Sequence, residues 1–225
     1  MNTLSELTAL CPPPAETPPV DWAAVENTLG MRLPEDYREL ASTYGPGTFC
    51  GFIHVYHPCG ATQWVDLTGS MPTTIREQLQ HALDEDTFPV PHNPQHLFPV
   101  GVTDNGEHLF WITEPREQPH RWRVTVNEAR GPRWHTFDGT LTSFLTAVLT
   151  GRELVPMFPR DLLDEGVTFA PSRPGSATPE AAPQPAGSID ASAVRTWARD
   201  QGYDVPERGR IPGPIIEAWK LAHGR

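Results

Sequence analysis

Apolar residues recur at helical spacing near the start of the chain. Trp22, Val25 and Leu29 share one helical face and are followed by Gly30, which predicts a short helix that ends at the glycine. A second helix is predicted to start at Leu33-Pro34-Glu35-Asp36 and to end at Gly45. Its apolar face consists of Tyr37, Leu40, Ala41 and Tyr44.

The middle of the chain has the composition of β-strands. Residues 49–56 are rich in aromatic and β-branched side chains, and residues 97–112 contain Asp104-Asn105-Gly106 between two apolar runs. Because Asn-Gly supplies the positive φ angles of a tight turn, the second region is predicted to be a β-hairpin. Residues 122–126 alternate in character and predict a further strand.

Two more helices complete this predicted domain. One extends from about Thr73 to Leu83, with Ile75, Leu79 and Leu83 on its apolar face. The other follows Phe137 and contains Phe144, Leu145, Val148 and Leu149. The order of elements is two helices, a strand region, a helix, a β-hairpin, a strand and a helix, which predicts an α+β fold.

Residues 188–225 predict two short helices with an extended loop between them. In the first helix Val194, Trp197 and Ala198 share one face, and Gly202 is placed to end it in a left-handed turn. The second helix begins near Pro212 and repeats apolar residues at Ile215, Trp219 and Ala222. The pattern predicts a small all-α helix-loop-helix domain whose two tryptophans join the helices.

The loop between these helices contains Arg208-Gly209-Arg210. The minor groove of B-DNA is about 6 Å wide and is narrower over A·T-rich runs, where its negative potential deepens. Glycine has no Cβ, so its backbone can approach the groove floor while the flanking arginines extend along the groove. The exocyclic amine of guanine would obstruct this insertion, so a preference for A·T-rich DNA follows. An isolated Arg-Gly-Arg is also common in solvated loops, so the surrounding residues must decide between a groove-binding segment and a solvated loop.

Those surroundings resemble the DNA-binding domain of the actinobacterial Lsr-type nucleoid-associated proteins, the H-NS-like silencers of A·T-rich foreign DNA. The resemblance rests on Val194-Arg195-Thr196-Trp197-Ala198-Arg199, Gly202, Val205, Arg208-Gly209-Arg210-Ile211-Pro212, Ile216 and Ala218. In that family the equivalent of Arg-Gly-Arg enters the minor groove, which implies the same role for Arg208, Gly209 and Arg210.

Further basic residues of the tail are candidates for phosphate contacts. They are Arg195, Arg199 and Lys220, which the two helices leave available to the DNA backbone. The chain departs from the family at Pro206, where members often have a small hydroxyl residue, and acidic Glu207 follows it. One phosphate or sugar contact of the family is therefore expected to be missing.

The larger part of the chain resembles the SUKH superfamily, of the Smi/Knr type. The matching residues are Trp22, Leu29-Gly30, Leu33-Pro34-Glu35-Asp36-Tyr37-Arg38-Glu39-Leu40, Tyr44-Gly45-Pro46-Gly47, Asp104-Asn105-Gly106-Glu107 and Phe144-Leu145. The resemblance implies a mixed or antiparallel sheet with helices and a recognition role without catalysis. Many bacterial members are immunity proteins against secreted nuclease and other polymorphic toxins, and others are interaction modules. Partner surfaces vary in the superfamily, so no binding residue is transferred.

A proline-rich segment separates the two predicted domains. Residues 171–187 contain five prolines and no aromatic or large aliphatic side chain, so they cannot bury a core and are predicted to form a semi-extended linker. The predicted organisation is a SUKH-like domain at residues 1–170, the linker at 171–187 and the DNA-binding domain at 188–225.

Charge is unevenly distributed between these parts. The whole chain has a net charge of −11, and residues 188–225 contain six basic and five acidic residues, a net of +1, which leaves −12 for residues 1–187. This distribution predicts weak, salt-sensitive DNA binding by the tail alone. Three cysteines without a dense framework suit a reducing cytoplasm, and no apolar run reaches membrane-spanning length. The expected location is the cytoplasm, at the nucleoid, without a membrane partner.

Motifs for metal binding and catalysis do not emerge from the sequence. Cys50, His54, His57 and Cys59 lie close together but lack the paired spacing of zinc ligands, so packing within strands is the preferred interpretation. Phosphate-binding glycine loops and nucleophile motifs are missing too. We expect no catalytic residue, no metal and no cofactor, and an enzyme ranks third among the alternatives.

The sequence therefore predicts a nucleoid-associated regulatory protein that binds A·T-rich double-stranded DNA through its tail. The SUKH-like domain would bind an unidentified protein, for example a toxin, a second copy of the chain or another DNA-bound protein. The leading alternative is an immunity protein that neutralises a toxin and whose tail only localises it. The tail resembles the Lsr-type silencers, but the N-terminal oligomerisation domain usual in that family is not recognisable in this chain.

Overall fold

A computed structural model of the protein describes residues 3–129, 132–172, 194, 197–199, 201–203, 215, 218, 219 and 222. The chain forms two compact units, Met1–Ala177 and Thr178–Arg225. The predicted boundaries at residues 170/171 and 187/188 stay predictions, because residues 173–193 lie outside the described part of the chain.

The first unit, called the body below, contains helices and strands in the order of an α+β domain. Its helices are α1 (Thr3–Leu10), α2 (Trp22–Leu29), α3 (Glu35–Tyr44), α4 (Met71–Asp84) and α5 (Leu141–Leu149). Its strands are β1 (Gly47–Phe49), β2 (Ile53–Val55), β3 (Leu97–Thr103), β4 (His108–Ile112), β5 (Arg123–Asn127), β6 (Trp134–Phe137) and β7 (Phe169–Pro171).

The strands form a single sheet of seven, in the order β6-β5-β4-β3-β2-β1-β7. Every neighbouring pair is antiparallel. The predicted α+β class with helices around an antiparallel sheet is therefore confirmed. In the tail, the described residues of the two predicted helices are helical, but its all-α class stays a prediction because most of its residues lie outside the described part.

The central strand β4 is buried on both faces of the sheet. Leu109 and Trp111 belong to the main core, which also includes side chains of α1, α2, α3 and α5. Phe110 and Ile112 point the other way and pack with Ile75 and Leu79 of α4 in a second cluster. Alternate residues of a strand point to opposite faces, so helices cover this part of the sheet on both sides. Because both faces are buried, residues 109–112 of β4 are all apolar.

The predicted helices α2 and α3 are confirmed, including their ends. The side chain of Asp21 accepts a hydrogen bond from the N–H of Ala24 at the start of α2, and Gly30 ends it at φ 62°. Helix α3 ends before Gly45 and buries Tyr37, Leu40, Ala41 and Tyr44, as its periodicity predicts. A left-handed residue after a helix is most easily supplied by glycine, which carries no Cβ penalty there.

The predicted hairpin at residues 97–112 is confirmed, but its turn differs from the prediction. Among the described residues, the non-glycine residues with positive φ are Cys50 and Asp86, so Asn105 does not have the left-handed conformation that was expected. Instead the N–H of Gly106 donates to the carbonyl of Thr103 at 2.9 Å, and only the glycine, at φ 93°, is left-handed.

A turn with two left-handed residues occurs earlier, between β1 and β2. Cys50 and Gly51 have φ 51° and 58°, and the N–H of Phe52 donates to the carbonyl of Phe49 at 2.9 Å. Positive φ at both central residues suits the right-handed twist of paired strands. The apolar stretch at residues 49–56 is therefore a sharp hairpin rather than a single strand.

Three elements were not predicted, and one predicted helix face is wrong in part. Helix α1 and the edge strands β6 and β7 lie outside the predicted elements. In α4 the buried face continues from Ile75 and Leu79 to Ala82, whereas Leu83 is 43 % exposed. A helix turns 100° per residue, so Ala82, seven residues after Ile75, lies on nearly the same face as Ile75, whereas Leu83 lies further round the helix.

Within the described residues, no helix is long and apolar enough to cross a membrane.

Candidate nucleic-acid interface and recognition domain

The first helix of the tail ends in a hydrogen-bonded left-handed turn. Gly202 has φ 80°, and its N–H donates to the carbonyl of Arg199 at 3.0 Å. The N–H of Tyr203 donates to the carbonyl of Ala198 at 2.8 Å. This pair of bonds is the Schellman arrangement, and it confirms the prediction that Gly202 ends the helix.

An aromatic contact reinforces the same helix end. The rings of Trp197 and Tyr203 stack with centroids 5.8 Å apart and an interplanar angle of 27°. A hydrophobic contact across the turn commonly accompanies a Schellman arrangement, and an aromatic pair adds about 0.5–1.5 kcal/mol beyond its buried area. Local contacts therefore hold the end of this helix as far as Tyr203.

The tail has a small core made by residues of both predicted helices. Val194 and Ala198 come from the first and Ile215 from the second, and all three are buried. Trp197 and Trp219 are partly buried against them, which confirms the prediction that the two tryptophans join the helices. A core of this size contributes little stability, because a small domain buries a small fraction of its surface.

Of the six residues predicted to contact DNA, the described part of the chain contains one. Arg199 lies in the last turn of the first helix and is exposed, so its guanidinium is positioned at the surface. Arg195, Arg208, Gly209, Arg210 and Lys220 lie outside the described residues. Their roles stay predictions.

In the body, the Leu-Pro-Glu-Asp-Tyr segment that carries the resemblance has structural roles. Asp36 accepts a hydrogen bond from the N–H of Thr142 through its carboxylate at 3.1 Å, and its carbonyl accepts one from the Thr142 hydroxyl at 3.1 Å. It thereby satisfies a donor in the first turn of α5. Tyr37 is fully buried, donates to the carbonyl of Tyr56 at 2.7 Å and packs edge-on against Trp111. The segment therefore fixes α3 to α5 and to the sheet.

His57 makes a second tertiary link to α3. It is 2 % exposed, its Nε2 lies 3.2 Å from the carbonyl of Ala41, and its Nδ1 accepts from the N–H of Cys59 at 2.9 Å. This pairing requires a neutral ring with the proton on Nε2. Burial lowers the pKa of His57 to about 4, against the opposing effects of the Ala41 carbonyl and the Asp66 charge.

The two histidines of the Cys50, His54, His57 and Cys59 group make separate interactions. His54 lies between the hydroxyl of Thr48, 2.9 Å from Nδ1, and the carboxylate of Asp104, 2.7 Å from Nε2. His57 faces α3 instead. Across the part of the chain that the structure describes, no three His, Cys, Asp or Glu side chains are grouped so that they could hold a metal ion.

An apolar groove lies beside the end of α5. It has a volume of about 740 Å³, and its lining includes Val155, Pro156, Phe158 and Leu162, with Arg160 at its side. Leu154 also lines it and is 80 % exposed. Val155, Phe158 and Leu162 belong to the buried core, so Leu154 is the large apolar side chain that this groove exposes. An exposed apolar side chain with charged neighbours is a candidate contact with another protein.

Sequence reasoning did not single out two arginines of the body, Arg76 and Arg116. Both line a polar cleft between α2, α4 and β3. They are far apart in the sequence, so no spacing pattern connects them. The sequence therefore carried no signal that could have paired them.

Comparison with known families gives two matches. A model of the SMI1 / KNR4 family (SUKH-1) matches residues 17–143, and a model of the Lsr2 DNA-binding domain matches residues 186–222. The first match spans α2 to the start of α5, and the second includes the tail core, the Schellman turn and the Arg-Gly-Arg segment. No solved structure matches the chain at a significant level.

Proposed function

We infer that this chain, which belongs to the SMI1 / KNR4 family (SUKH-1) and carries an Lsr2 DNA-binding domain, is a DNA-binding regulatory protein of the nucleoid. The Lsr2 domain supports DNA as a partner, and the SUKH domain supports a protein partner. Both families are generally non-enzymatic, so the proposed function is binding without catalysis. The finer proposal is that Arg208-Gly209-Arg210 enters the minor groove of A·T-rich DNA.

One observation supports the finer proposal most directly. The Lsr2 match at residues 186–222 includes an Arg-Gly-Arg segment between two helical regions whose described residues share a core. A packed pair of helices can present the intervening segment as an extended loop, and the stacked Trp197 and Tyr203 hold one end of it. Pre-ordering of this kind lowers the entropy lost on binding.

The chemistry assigns different tasks to the basic residues. Arg208 and Arg210 would extend along the groove on either side of Gly209, where the narrow, electronegative groove of an A·T-rich run attracts them. Arg195, Arg199 and Lys220 would contact phosphates, which position the domain without reading sequence. Each neutralised phosphate releases counterions, so affinity must fall with salt.

Alanine substitutions in the full chain test this division. Arg208→Ala and Arg210→Ala should each weaken binding to an A·T-rich duplex by about 1–3 kcal/mol, as expected for specific arginine contacts to bases. Arg225→Ala is the matched control, since it removes one charge from the same tail outside the proposed loop. Anisotropy titrations at one fixed salt concentration would measure the DNA affinity of the three variants. Equal losses in all three variants would mean that only net charge matters.

For the body we propose a protein-binding role, with the apolar groove around Leu154 as the candidate surface. It would hold copies of the chain together or attach the chain to another DNA-bound protein. A silencing function follows if several tails are held on one stretch of DNA.

A second candidate is an immunity protein, and the charge of the body favours it. Residues 1–187, which comprise the body and the segment that precedes the tail, have a net charge of −12, because six basic and five acidic residues of the tail account for +1 of the total of −11. An acidic surface suits a basic nuclease toxin. In that case a neighbouring gene would encode the toxin, and a chain shortened by residues 188–225 would protect cells as well as the full chain. If removal of the tail abolished protection, the result would favour the regulatory function.

A further inference from the structure

A small polar cleft lies in the body between the end of α2, the first half of α4 and the start of β3. Its volume is about 180 Å³, and the buried side chains of Leu67, Leu97 and Phe98 form part of its lining. A water molecule occupies about 30 Å³ of liquid, and drug-sized ligands use pockets of about 300–1,000 Å³. The cleft therefore has room for a small metabolite rather than for a nucleotide.

Positive charge in the cleft contrasts with the rest of the molecule. The chain contains 28 acidic and 17 basic residues, yet the described residues that line the cleft include Arg76 and Arg116 and no Asp or Glu. The Nη2 group of Arg116 donates to the carbonyl of Gly30 at 3.1 Å. This bond fixes its guanidinium beside the last residue of α2.

The charge of Arg76 is partly removed from water. Its Nε is buried and finds no hydrogen-bond acceptor among the described residues. The arginine ion pairs of the described part join Arg133 to Glu128 and Arg152 to Glu6, and neither cleft arginine takes part in one. A partly desolvated guanidinium that lacks an ion pair can gain from an approaching anion, and its planar donors match carboxylate and phosphate geometry.

The hydroxyl groups of the cleft offer the complementary chemistry. Thr28 donates its proton to the carbonyl of Ala24 at 2.9 Å, Thr68 to the Asp66 carboxylate at 2.9 Å, and Thr113 to the carbonyl of His96 at 3.0 Å. A hydroxyl that has committed its proton can only accept from a ligand. The cleft thus combines arginine donors with several hydroxyl acceptors.

We propose that this cleft binds a small oxyanion, a carboxylate or a phosphate, that also carries hydroxyl groups. The oxyanion lies against Arg76 and Arg116, and its hydroxyls donate to the threonine oxygens. The proposal adds a small-molecule site to the body, goes beyond DNA binding and does not depend on it.

Nuclear magnetic resonance of the full-length chain tests the site. A buried Nε–H exchanges slowly with water, so the Arg76 Nε–H signal is observable, and its loss in Arg76→Lys assigns it. Glycerate and glycerol 3-phosphate share a hydroxylated skeleton and differ in the oxyanion, so the two titrations show which oxyanion the site takes. The signal should shift saturably with at least one of them. Propionate and methyl phosphate, which lack the hydroxyls, should bind about tenfold more weakly.

Variants separate a site from general charge attraction. Arg76→Met and Arg116→Lys should weaken the better ligand at least about tenfold, whereas Arg121→Lys, an exposed arginine outside the cleft, should leave binding unchanged. Titrating the wild-type signal keeps the test valid if Arg76→Met does not fold. Linear, non-saturating shifts with all four compounds would overturn the site. Equal binding of propionate and glycerate, or of methyl phosphate and glycerol 3-phosphate, would overturn the assigned role of the threonines.

Discussion

His57 shows how one buried residue makes the body sensitive to acid. Its neutral ring links the loop after β2 to the carbonyl of Ala41 in α3, and protonation would place a second N–H against the N–H of Cys59. Burial lowers the pKa of His57 to about 4, below the ordinary 6.5. The folded protein therefore binds fewer protons than the unfolded chain between these values.

The stability of the body should fall as pH decreases from about 6.5 to about 4, and it should be fully present above that window. For His57 alone the full loss is about 3 kcal/mol, at 1.36 kcal/mol per pKa unit. Urea unfolding between pH 7 and 4.5 measures it. His57→Gln should flatten part of the slope, since His108 also has its pKa lowered to about 4 by burial. The exposed His120→Gln is the control, and an unchanged slope in His57→Gln would contradict the assignment.

Gly209 is the most demanding residue of the proposed DNA contact. Gly209→Val should weaken A·T-rich binding as much as the loss of an arginine, because a β-branched side chain keeps the backbone away from the groove floor. Gly224→Val, near the end of the same tail, should bind normally. The comparison is an anisotropy titration with circular dichroism to confirm that the helices remain. Normal binding by a folded Gly209→Val would place the loop outside the groove.

At the scale of elements, the first tail helix ends at Gly202, six residues before Arg208 in the sequence. Gly202 has φ 80°, and a Cβ there would meet no other described atom within 4 Å. A substitution therefore costs backbone strain rather than a steric clash. Gly202→Ala should destabilise the helix end by about 1–2 kcal/mol, and Gly202→Asn by less, since asparagine tolerates this conformation.

Amide hydrogen exchange of Gln201 and Tyr203 in the full chain would measure this change. The N–H of Tyr203 bonds to the carbonyl of Ala198 only when the turn is formed, so Gly202→Ala should accelerate its exchange. Equal exchange in wild type, Gly202→Ala and Gly202→Asn would show that the turn does not control the helix end.

Elements with local signals were predictable, and those made by distant pairing were not. Helices α2 and α3 have regular apolar spacing and end at Gly30 and Gly45, so the sequence alone locates them. Strand β7 has three residues and exists because it pairs with β1 across more than a hundred intervening residues. The hairpin at Cys50 escaped prediction because a non-glycine residue adopts φ 51° there, which sequence preferences disfavour.

The same distinction applies to the candidate sites. The tail is recognisable from sequence because its helical spacing and Arg-Gly-Arg lie within one short segment. The cleft of Arg76 and Arg116 is assembled from α2, α4, β3 and the segment after β4, so only the fold brings its donors together. The partner of Asp36 in α5 likewise becomes visible only in three dimensions.

At the scale of the whole molecule, a single tail should bind DNA weakly. Its described core contains three buried residues, and its net charge of +1, from six basic and five acidic residues, offers few phosphate contacts. Two tails held together raise the effective concentration of the second to the millimolar range. Useful affinity is therefore expected from assemblies joined through the body.

Light scattering of the full chain, combined with titration of long and short A·T-rich duplexes, tests this assembly. The long duplex should bind at least tenfold more tightly, which is a modest avidity gain. Leu154→Asp, which places a charge in the exposed apolar groove, should reduce both the assembly and the advantage of the long duplex. A strict monomer that binds both duplexes equally would make the tail a self-sufficient binder.

The most direct test of the central claim compares two duplexes of equal length and charge, one A·T-rich and one G·C-rich, at the same moderate salt concentration. Insertion of Arg208 and Arg210 into the minor groove predicts tighter binding of the full chain to the A·T-rich duplex and competition by a netropsin-type groove ligand. Cytosine methylation, which changes only the major groove, should have no effect. Equal affinity for the two duplexes, without competition by the groove ligand, would contradict minor-groove recognition and leave only charge attraction.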